Sequence, residues 1–142
     1  MSERAPLVDR LAVLIWRLGF YIPLVVCTYL ALVPEPPDNP VFRLSDVILH
    51  GAAFSYLTFA FVLMDRGPGF NLALAIRASL AMLAYGLFLE LAQSLVPERS
   101  AELKDLGVDL LGIAAGLLLA AMLARPLKKL LAVLLDSLLA ER

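Results

Sequence analysis

The sequence predicts an all-α integral membrane protein, with four spanning helices and a C-terminal amphipathic helix lying at the membrane interface. Three observations carry this. Hydrophobic residues make up 61% of the 142-residue chain and charged residues only 18%, against about 25% charged in ordinary soluble domains. A water-soluble globule of this size could not hide so much apolar surface, and a disordered chain would be apolar-poor. The apolar residues gather in four runs, each near the ~17–25 residues that cross a bilayer as a helix. Between the runs lie breaks rich in proline, glycine and charge.

The first run covers residues 11–33, with Arg17 near its start. It reads as an uncleaved anchor. Its apolar stretch is long for a signal peptide, and no convincing small-residue cleavage site precedes Pro34. Prolines 34, 36, 37 and 40 then bar a helix. The second run is 47–64, with His50 one turn from its start. Residues 65–69, Asp-Arg-Gly-Pro-Gly, form a tight turn. The third run, 77–96, contains Glu90 and Gln93, and a polar stretch from Pro97 to Lys104 follows. The fourth, 106–123, contains Asp109, and Arg125-Pro126 should stop it. Beyond it, Leu127, Leu130, Leu131, Leu134, Leu135, Leu138 and Leu139 form a broad apolar face. This suits a helix on the membrane surface, with a dimerisation helix as the alternative.

Orientation follows the basic residues. With the N-terminus inside, nine of the twelve fall on the cytoplasmic side and only Arg43, Arg99 and Lys104 outside. Both termini are therefore expected in the cytoplasm. Other function classes fall away on composition. A net charge of −1 argues against nucleic-acid binding, and the lone Cys27 excludes an intramolecular disulfide or a cysteine zinc cluster.

The polar residues within the runs are periodic. Asp46 and His50 are four apart. Gly86, Glu90, Gln93 and Pro97 run at spacings of 4, 3 and 4, as do Asp105, Asp109, Gly112 and Gly116. That period gives each helix one polar or small-residue stripe. Gly112-Ile-Ala-Ala-Gly116 also invites close approach of another helix. The stripes share a depth near the outer helix ends, with Arg99 above them, so His50, Glu90, Gln93, Arg99, Asp105 and Asp109 are expected to converge. Singly, each residue has a structural reading: helix–helix hydrogen bonding for His50, Glu90 and Gln93, and an N-terminal cap for Asp105. Together, four carboxylates in a poorly hydrated region require that one be neutral or that a cation bind.

At these residues the chain resembles the VanZ-like family of small bacterial membrane proteins. The matching stretch runs Asp46-Val-Ile-Leu-His50, Tyr85-Gly86, Glu90-Leu-Ala-Gln93, Pro97-Glu-Arg-Ser100, Asp105-Leu-Gly-Val-Asp109 and Gly112 to Gly116, over about residues 44–120. Val47 stands where the family often has Lys, Phe54 where it often has Tyr, and Asp109 where it has Asn. Two of these departures, the lost Lys and the added carboxylate, make the site more acidic. The resemblance implies a four-helix bundle in the cytoplasmic membrane (residues 1–126, with 127–142 as the appended helix). It also implies a link with the cell envelope, the family being named for teicoplanin-type glycopeptide resistance.

Two readings of function result. In the first, the outer-leaflet cluster acts on or binds an envelope lipid or lipid-linked head group. His50, Glu90 and Asp105 form the expected catalytic set, with His50 or Glu90 as general acid or base. Asp46, Gln93, Arg99, Ser100 and Asp109 form the expected binding set, with Arg99 gripping a phosphate or carboxylate. Glu90, Asp105 and Asp109 offer oxygen ligands for Mg²⁺ or Ca²⁺. In the second reading the cluster is structural and the protein is a non-catalytic accessory to other envelope proteins. A proton-coupled transporter ranks last, because no acidic residue continues the path through the inner half.

Overall fold

The computed structural model describes residues 4–33, 46–67, 69–96 and 103–140. Four helices account for almost all of them: α1 (Arg4–Leu32), α2 (Asp46–Met64), α3 (Leu72–Gln93) and α4 (Leu103–Ala140). Each helix touches the other three, and α2 packs most closely with α4.

α1 starts seven residues before the expected span, with Pro6 in its first turns, where a proline costs no helical hydrogen bond. Pro23 lies in its interior and has no N–H to give the Gly19 carbonyl four residues back. The Tyr56 hydroxyl on α2 fills that gap, donating to Gly19 O at 2.7 Å. α3 also starts before the expected run. Asn71 caps it, its side chain accepting from Leu74 N at 2.9 Å. This cap draws Arg77 into the helix, where it reaches Asp65 of the 65–69 turn at 3.3 Å.

The stop expected at Arg125-Pro126 does not form. α4 continues through Pro126 for 38 residues in all, roughly 57 Å at 1.5 Å per residue. Proline removes one ladder bond, to the Met122 carbonyl, and the leucines, alanines and lysines around it are strong helix formers.

Three helices are long and apolar enough to cross a membrane: Ala5–Leu32, Leu72–Gln93 and Asp105–Ala140. The run expected over 47–64 is the shorter apolar helix Ile48–Met64. α2 lies among the others and buries Phe54, Leu57, Thr58, Ala60, Val62 and Leu63. One core cluster draws on all four helices, with Phe20, Phe54, Leu57, Met82, Leu89 and Ile113. A second, around Val62, Leu63, Leu74, Ala78, Ala120 and Ala124, fills the end beside the 65–69 turn. Large apolar side chains such as Val25, Leu80, Leu111 and Leu118 point away from the protein. Soluble monomers do not expose apolar area on this scale; lipid solvates it.

Glycines set the α2–α4 distance. A Cβ on Gly112 would lie 2.7 Å from Gly51 O, and one on Gly116 would run into Ser55 O and lie 2.7 Å from Thr58 Cβ. The two glycines therefore let α4 lie against the backbone of α2, as their spacing predicts.

Candidate functional site

The helix termini decide which polar side chains can meet. His50 is one turn inside the start of α2, Glu90 and Gln93 are in the last turn of α3, and Asp105 and Asp109 are in the first two turns of α4. These three ends come together. His50 Nδ1 lies 3.2 Å from Asp109 Oδ1, joining helices 59 residues apart in sequence.

Asp109 is only 2% exposed. Its second oxygen faces Gly86 on α3, where an added Cβ would stand 2.9 Å from Oδ2. The same missing side chain admits the Phe54 ring, 3.3 Å from that Cβ position. Phe54, one turn below His50, also packs on Tyr85 with ring centroids 5.7 Å apart. The carboxylate thus sits between an imidazole, a glycine and an apolar floor. A buried carboxylate in such a place needs its hydrogen bonds, and the imidazole supplies one.

Asp105 is buried at 8% exposure, whereas Glu90 is half-buried. Both lie within Coulombic reach of the His50 ring. Gln93, buried at 6%, turns to the other side: its Nε2 donates to Ala31 O of α1 at 3.2 Å. About two turns back along α3, the Tyr85 hydroxyl meets Thr28 Oγ1 at 2.9 Å, and Thr28 in turn donates to Leu24 O at 2.7 Å. Thr28 has one hydroxyl proton, so Tyr85 is the donor in the first bond. Arg99 and Ser100 lie outside the described residues, as does the side chain of Asp46.

Of the expected site, His50 and Asp109 are thus in contact, with Glu90 and Asp105 nearby, and Gln93 fastens α3 to α1. Among the described residues, no group of three His, Cys, Asp or Glu side chains is placed to hold a metal ion. The Glu90–Asp105–Asp109 ligand set for Mg²⁺ or Ca²⁺ is not assembled here. Two participants had no signal in the polar pattern. Phe54 is apolar and stands out only as a departure from the family's Tyr, and Thr28 is one of three hydroxyls in its run, with Tyr21 and Tyr29.

No known family model, curated protein or solved structure matches this chain.

Proposed function

We propose that the chain is a four-helix membrane bundle of the bacterial cytoplasmic membrane, with both termini in the cytoplasm. Its polar cluster opens to the outer leaflet and acts on or binds an envelope lipid or lipid-linked head group. The observation that carries this reading is the His50–Asp109 pair at 3.2 Å, with Asp109 almost fully enclosed. A helix–helix fastener does not need a titratable ring held by a buried acid. The Asp109 carboxylate accepts from Nδ1–H and fixes the tautomer, so Nε2 carries the lone pair that can take a proton from a ligand hydroxyl or water. His50 is the half-buried member of the pair and so the one a ligand can reach. The VanZ-like motif over residues 44–120 supports the link to the envelope and to glycopeptide resistance.

Expression in a teicoplanin-sensitive bacterium tests this. Teicoplanin susceptibility and the envelope-lipid profile are measured for wild type, His50→Gln and Asp109→Leu, with accumulation in the membrane checked for each. Wild type should change at least one readout, and both variants should lose the change while still accumulating. A response that survives in both variants would overturn the acid–base role. The Gln93–Ala31 bond favours the second reading for that one residue: Gln93 holds α3 against α1.

A further inference from the structure

At the end opposite His50, a cavity of about 930 Å³ opens between the start of α1, the 65–69 turn and the second half of α4. Six cations line it: Arg10, Arg17, Arg66, Arg125, Lys128 and Lys129. Only two carboxylates, Asp9 and Asp65, face them. Asp65 is already engaged, by Gly67 N at 2.8 Å and by Arg77, which lies outside the lining, at 3.3 Å. Lys128 is engaged as well. Its Nζ donates to Asp65 O at 2.8 Å and Gly67 O at 3.0 Å, tying the turn to α4. Among the described residues, no acidic side chain pairs with Arg10, Arg17, Arg66, Arg125 or Lys129.

Six cations against two carboxylates leave the cavity strongly positive, a field that attracts an anion. Arginine forks in particular suit phosphate oxygens. The remaining wall is apolar, with Val13, Trp16 and Leu63. A free phosphate would leave that wall wet, whereas a phospholipid covers both surfaces at once. The volume lies within the ~300–1,000 Å³ of ordinary ligand pockets, and tryptophan is a side chain that favours the head-group level of a bilayer.

We propose that this cavity holds the phosphate head group of an anionic phospholipid, with the upper part of its acyl chains against Val13, Trp16 and Leu63. The cations come from three segments far apart in sequence, so the bound lipid clamps the start of α1, the turn and α4 together. The site is separate from the His50 cluster and does not depend on its function.

The test uses the full-length protein in a neutral maltoside detergent. Thermal unfolding is followed while dioctanoyl phosphatidylglycerol, dioctanoyl phosphatidylcholine or inorganic phosphate is titrated. Native mass spectrometry counts retained phosphatidylglycerol in parallel. Phosphatidylglycerol should raise Tm, and the other two should not at equal concentration. Each cation contributes about fivefold in affinity for an anionic lipid, so the Arg10→Gln/Arg125→Gln double variant should bind roughly 25-fold more weakly. Both side chains are exposed, and Tm without lipid confirms that the variant folds. Arg77→Gln removes a cation that lies outside the cavity and touches it only through Asp65, so it should weaken lipid binding by no more than about fivefold. Equal stabilisation by phosphatidylcholine or by inorganic phosphate would overturn the proposal. So would a loss of affinity in Arg77→Gln matching that of Arg10→Gln/Arg125→Gln.

Discussion

The Tyr56 hydroxyl and Pro23 make a sharply testable pair. Pro23 deprives the Gly19 carbonyl of its helical donor, and Tyr56 replaces that donor from a neighbouring helix at 2.7 Å. In Tyr56→Phe the carbonyl, on the outer surface of the bundle, loses that donor. Interhelical hydrogen bonds measured in membranes average about 0.6 kcal/mol and reach about 1.7. A loss of about 1 kcal/mol is therefore expected, roughly fivefold in the unfolding equilibrium. In a Pro23→Ala background the substituted residue regains a backbone N–H, which donates to Gly19 O. There the same Tyr56→Phe change should cost less than about 0.5 kcal/mol, giving a coupling of at least about 0.5 kcal/mol. Reversible unfolding in mixed micelles with increasing SDS measures all four proteins of the cycle. Equal costs of Tyr56→Phe in both backgrounds, within about 0.3 kcal/mol, would refute the replacement-donor argument.

Other substitutions probe separate parts of the structure by the same assay. Gly116→Ala drives a methyl into Ser55 O and Thr58 and should cost about 1–3 kcal/mol as overpacking, while Gly107→Ala, with open space around it, should be neutral or better. Thr58 Oγ1 is fully enclosed with no hydrogen-bond partner among the described residues, so Thr58→Val should stabilise by about 1 kcal/mol by removing an unmet polar atom. Asn71→Ala removes the α3 cap and should cost about 1 kcal/mol. Lys128→Met frees the 65–69 turn from α4 and should cost about 1.5–3 kcal/mol, with faster amide exchange in that turn.

The sequence showed the helices more readily than their ends. Apolar runs mark where lipid or protein must surround the chain, so all four helices were visible. Their limits depend on single residues. Asn71 moved the start of α3 because a side-chain cap outweighed the charge of Arg77, which snorkels rather than ending a helix. Pro126 failed as a stop because a proline costs one bond and its neighbours support many. In the site, the 4-3-4 stripes led to an expected convergence of His50, Glu90, Gln93, Arg99, Asp105 and Asp109, because period and depth together fix which faces can touch; His50 and Asp109 are in contact, and Arg99 lies outside the described residues. The direction in which Gln93 turns was not legible. A glutamine on a helix rim reaches either neighbour, and only the position of the Ala31 carbonyl decides. The basic cavity was hidden in plain counts: the cations were read for orientation, whereas their convergence needs the packing of α1 against α4.

The close seat of α4 on α2 has a consequence for biogenesis. α2 leaves the ribosome before α4, yet the surface that covers Gly51, Ser55 and Thr58 belongs to that later helix. Until α4 is inserted, that face of α2 and the His50 ring lie against lipid or the insertion machinery, without the Asp109 carboxylate that meets the ring in the finished bundle. The chain therefore cannot close the seam between α2 and α4 until α4 is made. Its centre closes in one late step, and a nascent chain stalled before residue 103 is an open structure whose most polar face is still looking for its partner, the kind of surface that membrane quality control can recognise.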